Sequence, residues 1–142
     1  MTHLRLRRDG ERGASMVEFA LVLPVFLLLL FGLFDVGRLV YVNNAVSEAA
    51  REGARWGSVA GRSNSSTGVA GIKTQTVAAM PGVTGAVITV SCRRDGAATS
   101  TCRSRDTLVV TVENTVRMTT PGIAQLLGNV QVTSTAQVAV NQ

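Results

Sequence analysis

The stretch GASMVEFALVLPVFLLLL, residues 13–30, decides the architecture of this chain. It opens an apolar run in which the 16 residues from Phe19 to Phe34 carry no charge. As a helix this run spans about 24 Å, and its flanking residues extend it to the roughly 30 Å of a bilayer's hydrocarbon core. Glu18 stands at the start of the run, where a carboxylate is costly. The pattern predicts a transmembrane segment of about residues 16–42.

Three other interpretations of the apolar run are weaker. A cleaved secretory signal needs a small-residue site after Phe34, and none follows. A lipoprotein signal needs an early cysteine, whereas the first is Cys92. A core helix of a globular domain has one apolar face, whereas this run is apolar on every side. Four arginines in the first thirteen residues, against three in the twenty after Asp35, favour a cytoplasmic N-terminus and an exported C-terminal part.

The helical pattern continues beyond the membrane to about residue 60. Asp35 and Arg38 are spaced to pair on one helix face near the outer headgroups. Further along, small residues recur every fourth position, which lets another backbone approach closely. This stripe faces either the C-terminal sheet or a neighbouring subunit, unless its glycines simply mark a fraying helix end. Its members are Ala45, Ala49, Gly53, Gly57 and Gly61.

The C-terminal part, residues 61–142, has the pattern of a small α+β domain. A loop by composition precedes a short helix at residues 69–80, which Pro81 and Gly82 end. Apolar residues alternate at 86–92, 107–118 and 130–140, which predicts three antiparallel strands. A second short helix is expected from Pro121 to Gly128. We expect this sheet to pack on the exported half of the long helix.

Cys92 and Cys102 flank the predicted hairpin loop between the first two strands. In an exported domain a disulfide is expected between them, and a pair of free thiols is the alternative. There is no C-x-x-C, and the only histidine is His3, so we expect no metal site.

Neither catalysis nor nucleic-acid binding is indicated. No nucleophile has an evident base, and no glycine loop is built for phosphate, so we expect no catalytic residue, no cofactor and no small-molecule substrate. The acids beyond the long helix, Asp95, Asp106 and Glu113, are interpreted as turn and surface residues. The net charge is +5, and the arginines are densest in the first thirteen residues instead of forming a basic patch along the chain. The chain has one Trp and one Tyr, which offer little aromatic surface for stacking on bases.

Residues 12–56, RGASMVEFALVLPVFLLLLFGLFDVGRLVYVNNAVSEAAREGARW, strongly resemble the TadE-like proteins. These are pilin-like components, pseudopilins or minor pilins, of bacterial tight-adherence, type IVb-like pili. The resemblance implies cleavage by a prepilin peptidase after Gly13, which would leave Ala14 as the new N-terminus. Glu18 would then be the fifth mature residue, followed by the aromatic Phe19. Ala14 departs from the Phe that many classical pilins carry at that place.

The resemblance also implies an organisation, a location and partners. It implies a basic leader at 1–13, a long helix at 14–60 and an exported domain at 61–142, together a pilin-like α+β fold. The protein would cross the bacterial inner membrane once, join other pilin-like subunits and tight-adherence assembly proteins, and support surface attachment, with incorporation into a surface pilus as one outcome. Glu18 would pair with the freed amine of Ala14 in an adjacent subunit. The alternative is an uncleaved, signal-anchored membrane protein whose exported domain is a binding module.

Overall fold

The computed structural model describes residues 9–59, 63, 65–99, 102–120, 124–125 and 128–140. Its first element is a helix of 49 residues, which is about 73 Å long. A second helix and four strands follow, which confirms the α+β class. The elements are α1 Asp9–Gly57, α2 Ser66–Ala78, β1 Val87–Arg94, β2 Ala97–Thr99, β3 Thr107–Arg117 and β4 Asn129–Ala139.

Helix α1 has two halves with different surroundings. Up to Phe34 most of its large apolar side chains are exposed, and Pro24 lies inside the helix without ending it. An 18-residue window of α1 has a mean hydropathy of 2.6, and none of that window is buried within the chain. From Asp35 onward, α1 packs on α2, β3 and β4. The first half is therefore a candidate membrane span by length and composition.

The four strands form one antiparallel sheet in the order β2-β1-β3-β4. Strand β3 lies between β1 and β4, and its register with β4 runs from Thr107 opposite Ala139 to Arg117 opposite Asn129. The expectation of three strands is wrong by one, because residues 93–101 contain the short strand β2. Asp95 and Gly96 turn the chain from β1 into β2 with φ values of 50° and 85°. Positive φ at both central residues is what a type I′ hairpin turn requires.

The core lies between one face of the sheet and the second half of α1. Side chains alternate along β3 between buried and more exposed, and the buried ones include Leu108, Val110 and Val112. From α1 the core receives Val46, Ala49 and Ala50, and from α2 it receives Ile72. Only one face of the sheet is thus covered, which is the usual pattern in antiparallel sheets.

Helix α2 begins three residues before the predicted start. Ser65 is its N-cap, and the Ser65 Oγ accepts a hydrogen bond of 3.1 Å from the Gly68 amide. The helix expected from Pro121 to Gly128 lies largely outside the described residues. At its edges the Ala124 amide donates to the Thr120 carbonyl at 3.0 Å, and the Gly128 amide donates to the Ala124 carbonyl at 3.1 Å.

The stripe of small residues on α1 faces its own chain. A Cβ added at Gly53 would overlap the Thr76 Oγ1, and one added at Gly57 would lie 2.5 Å from the Leu108 Cδ2. Ala49 is fully buried in the same core. Glycine is therefore needed where α2 and β3 approach the helix axis. Gly61, the last member of the expected stripe, lies outside the described residues.

Replacing Gly53 by Ala should destabilise the exported domain. The added methyl must displace the buried Thr76, and overpacking of this kind costs about 1 to 3 kcal/mol. Gly37→Ala is the matched control, because nothing lies within 4 Å of a Cβ added there. The control should leave stability unchanged or raise it by up to about 1 kcal/mol, as Gly-to-Ala changes do in helix interiors. Urea unfolding in detergent micelles measures both, and equal effects would contradict the packing described.

Candidate functional site

The first candidate region is the exposed N-terminal half of α1. Gly13, Ala14, Glu18 and Phe19 all lie on exposed turns of this helix. Ala14 and Glu18 are four residues apart, so they stand on one face, separated by about 6 Å along the helix axis. Phe19 is 64% exposed. The structure thus places the four predicted processing and assembly residues on one accessible segment; their roles stay predictions.

A long apolar surface overlaps these residues and extends beyond them. From Met16 to Phe34 most of the large side chains are exposed on all sides of the helix. A length of 19 residues spans about 28 Å, close to the thickness of a bilayer's hydrocarbon core. An apolar surface of this extent requires a lipid or protein covering.

Asp35 marks the point where the free half of α1 ends. Its carboxylate accepts a bond of 2.8 Å from the Thr120 amide and one of 2.6 Å from the Thr120 hydroxyl. The Thr119 amide donates to both carboxylate oxygens, at 3.1 and 3.2 Å. Asp35 is 6% exposed and Thr120 is 1% exposed. We call this group of Asp35, Thr119 and Thr120 the Asp35 anchor, since it fixes the connection after β3 to the helix.

This arrangement differs from the expected pairing of Asp35 with Arg38 at the membrane edge. The Asp35 carboxylate takes its hydrogen bonds from the β3–β4 connection, while Arg38 is exposed and interacts with it only through its charge. Backbone N–H groups already held by the fold satisfy a buried carboxylate without ordering a long side chain. A separation of 84 or 85 residues gives no local sequence signal for such a contact.

Asp35→Asn should loosen the connection after β3. Asparagine has only one acceptor oxygen and loses the charge that strengthens these hydrogen bonds. We expect the Thr119 and Thr120 amides to exchange with deuterium at least about tenfold faster, a size typical of losing bonds to a charged group. Asp95→Asn in the exposed β1–β2 turn is the control and should not change those amides. Unchanged exchange in Asp35→Asn would rule out the Asp35 anchor.

The far end of the sheet is fixed by a disulfide and an ion pair. Cys92 and Cys102 are joined, both are buried, and their Cα atoms are 5.3 Å apart. Beside them, the Arg94 guanidinium binds Asp106 with two hydrogen bonds, the Nε–Oδ1 one being 2.8 Å. The Arg103 amide also donates to the Asp106 Oδ2, at 2.8 Å. These contacts hold residues 102–106 against β1.

Asp106 is not a surface residue as interpreted from the sequence, because it is 4% exposed and paired. The hydrogen bond from Arg94 holds the pKa of Asp106 below its usual value, and the Arg103 amide adds to this against the opposing effect of burial. The same pairing raises the pKa of Arg94. Asp95 and Glu113 are exposed, as expected.

The Asp106 pairing should make stability depend on acidity in a defined window. Folding lowers the pKa of Asp106. The pairing therefore stabilises the domain fully above the unfolded carboxyl pKa of about 3.9, and this stabilisation is lost as the pH falls through the folded pKa of Asp106. Urea unfolding at pH 6 and pH 3 should therefore show a smaller pH effect in Asp106→Asn than in the parent. Glu113→Gln, an exposed change, should keep the parent's pH effect. An equal pH effect in Asp106→Asn and the parent would contradict the pairing.

The described residues offer no obvious site for chemistry. In these ranges no group of three or more His, Cys, Asp or Glu residues is placed to hold a metal ion. The acids just described are accounted for by hydrogen bonds, turns or exposed surface. The arrangement presents an apolar helix that the described chain leaves uncovered, next to a small packed domain.

These features define a class: an α+β protein with one apolar helix near its N-terminus that is suited to a membrane. Residues 13–55 match the family model described as TadE-like protein, which confirms the resemblance found in the sequence. The match covers α1 almost to its end and stops before α2 and the sheet. Comparison with curated proteins and with solved structures found no match. The TadE-like segment indicates a relation to pilins of tight-adherence pili, which are not an enzyme family.

Proposed function

We propose that this chain is a TadE-like minor pilin or pseudopilin that takes part in assembling a tight-adherence, type IVb-like pilus and in surface attachment. The observation that carries the proposal is the TadE-like match over residues 13–55. The match begins at Gly13 and includes the entire exposed apolar half of α1. A helix that is left uncovered in the monomer suits a subunit that is stored in a membrane and then packed against other helices.

In this proposal a prepilin peptidase removes residues 1–13. Gly13 is exposed and, outside the helix's own backbone, a Cβ added there would meet nothing within 4 Å, so no other described part of the chain covers the bond to Ala14. Cleavage frees the amine of Ala14, which is mostly protonated at neutral pH. A cation then appears one helical turn from the Glu18 carboxylate, at the membrane edge.

Glu18 would guide assembly through this new charge. A carboxylate near hydrocarbon is costly unless it is paired, and the amine of Ala14 in an adjacent subunit is a partner of the right sign and depth. Phe19 beside it would pack against the neighbouring helix. The remaining partners in the proposal are other pilin-like subunits and the tight-adherence assembly proteins.

The proposed location is the bacterial inner membrane, crossed once, with the N-terminus in the cytoplasm and the domain of residues 61–142 exported. The buried Cys92–Cys102 disulfide suits an oxidising compartment outside the cytoplasm. Because Val42 is already in the domain core and Asp35 is bound to the β3–β4 connection, the hydrocarbon-facing part would end near Phe34 instead of residue 42. Incorporation into the surface pilus is one fate of the processed subunit.

Gly13→Ala should block processing. Co-expression of the parent with the matching peptidase should give a mature chain that begins at Ala14, as read by N-terminal sequencing or intact mass. The variant should accumulate at full length, because the resemblance implies a peptidase that cuts after glycine. Gly37→Ala, the same change later in the helix, should process normally. A parent that stays uncut, or a Gly13→Ala that is cut normally, would refute processing.

Glu18→Ala should separate membrane insertion from assembly. Removing the carboxylate leaves the apolar run intact, so the variant should still co-sediment with membranes. It should lose most of its crosslinking to neighbouring subunits, because the amine of Ala14 then has no partner. Glu48→Ala, an exposed glutamate on the same helix, is the matched control and should assemble as the parent does. Unchanged crosslinking and piliation in Glu18→Ala would contradict the assigned role.

One observation favours the alternative of an uncleaved membrane anchor. Helix α1 runs without interruption from Asp9 through the Gly13–Ala14 bond, so the helix must unwind there before a peptidase can reach the bond. The ends of helices open most readily, and the Gly13–Ala14 bond lies only about one turn from Asp9, so local unwinding can expose this bond. If the bond is never cut, the exported domain would act as a binding module held at the membrane.

A further inference from the structure

Two neighbouring cavities lie where the exported domain meets the free half of α1. The first, of about 380 Å³, is lined by Phe31, Phe34, Asp35, Arg38, Thr119 and Thr120. The second, of about 620 Å³, is a more polar groove whose lining includes Arg38, Tyr41, Asn114, Arg117 and Asn129. We call them the apolar cavity and the arginine groove. Arg38 lines both, so the apolar cavity and the arginine groove meet at this residue.

The helix itself sets the order of the two cavities. Phe31, Phe34 and Arg38 follow each other at spacings of three and four residues, which places them on one face. Arg38 stands about 6 Å beyond Phe34 along the helix axis. If hydrocarbon ends near Phe34, the Arg38 Cα lies within the headgroup layer, which is roughly 5 to 8 Å deep on each side.

Hydrogen bonds hold side chains that line the arginine groove, and its two arginines form no ion pair with a described carboxylate. The Tyr41 hydroxyl donates to the Pro81 carbonyl at 2.8 Å, and the Asn114 side-chain Nδ2 donates to the Thr84 carbonyl at 2.9 Å. Arg38 and Arg117 are both exposed. Among the described residues the ion pairs are Glu52–Arg55 and Arg94–Asp106, so neither groove arginine has a carboxylate within 4.0 Å.

The remaining charge in the site belongs to Asp35. Its carboxylate is 6% exposed and is occupied by the Thr119 and Thr120 donors, so it presents little negative surface to a ligand. Together with Arg38 and Arg117 it leaves one net positive charge, and both arginines line the arginine groove. The site is thus complementary to an amphipathic anion.

We propose that the apolar cavity and the arginine groove together bind one anionic phospholipid of the exported leaflet. Its phosphate lies between Arg38 and Arg117, where two guanidinium groups can donate to the phosphate oxygens. Its acyl chain runs along Phe31 and Phe34 toward the bilayer centre. The lipid holds the domain against the membrane at the Asp35 anchor. This inference rests on the membrane placement in the proposed function, and is independent of cleavage and assembly.

The test uses the full chain in nanodiscs made of equal parts phosphatidylcholine and phosphatidylglycerol, followed by native mass spectrometry of retained lipids. The parent should retain phosphatidylglycerol in preference to phosphatidylcholine. Arg38→Gln combined with Arg117→Gln should lower that preference at least about tenfold, since basic residues near a membrane surface each contribute measurably to anionic-lipid binding. Both side chains are exposed, so the fold should persist by circular dichroism.

Arg93→Gln is the matched control. Arg93 is exposed on β1 and pairs with Thr107, ten residues along β3 from Arg117, which is a distance of about 33 Å. This variant should keep the parent's lipid preference. No preference in the parent, an unchanged preference in the double variant, or an equal loss in Arg93→Gln would each overturn the inference.

Three further arms test the source of the phosphate, a second subunit as the occupant, and membrane insertion by itself. Millimolar glycerol phosphate should fail to displace the retained lipid; complete displacement would overturn a lipid site in favour of a phosphate site. If the double variant reduces contacts between copies of the chain while no lipid is retained, the groove binds a second subunit and the inference fails. Flotation with phosphatidylcholine vesicles tests membrane insertion alone, so a chain that floats but shows no lipid preference refutes this inference while leaving the proposed function standing.

Discussion

The placement of the sheet on the long helix depends on one interaction, the hydrogen bonds that the buried Asp35 carboxylate accepts from Thr119 and Thr120. The position of Asp35 in the middle of α1 divides a helix of 49 residues into a half that the chain leaves uncovered and a half that the chain packs. Its carboxylate oxygens accept hydrogen bonds from Thr119 and Thr120, which lie two and three residues after the end of β3, one of the two inner strands. The sheet therefore begins where the apolar surface of the helix ends. This contact sets how close the domain lies to the membrane in our proposal.

The two halves of α1 are stabilised in different ways. The second half packs through small residues, since Gly53 and Gly57 bring the helix close to α2 and β3. Among the described residues the first half has no such partner, and it is apolar all round, so it is stable only in lipid or against other helices. A pilin-like subunit requires both properties in one helix, because it is held by a membrane before assembly and by its neighbours afterwards.

Patterns of apolar residues predicted much of this fold, while single long-range contacts escaped prediction. The apolar run at Phe19–Phe34 and the alternation in β3 and β4 gave the long helix and most of the sheet, because periodicity reports which faces are buried. Strand β2 was missed although Asp95 and Gly96 form a dipeptide that favours type I′ turns. The processing and assembly residues came from a resemblance to a family, and the structure adds only their accessibility.

The missed contacts share a cause. Asp35 looked like half of an i to i+3 pair, and its true partners lie 84 and 85 residues away. Asp106 looked like a turn residue, although Arg94 reaches it across a separation of 12 residues. In both, a carboxylate found donors that only the folded sheet brings near. The sequence shows that these side chains are charged, but the topology of the folded sheet decides which donors reach them.

The measurement that tests the central claim most directly is a depth profile of α1 in liposomes. Nitroxide labels would be placed on cysteines introduced one at a time at Leu21, Leu27, Val36 and Asn43, which are exposed in the monomer. Accessibility to oxygen and to a water-soluble nickel complex then reports the depth of each label. We predict that Leu21 and Leu27 lie in hydrocarbon, that Val36 lies at the headgroups, and that Asn43 lies in water. Water-exposed labels at Leu21 and Leu27, or a buried label at Asn43, would contradict a membrane boundary at the Asp35 anchor.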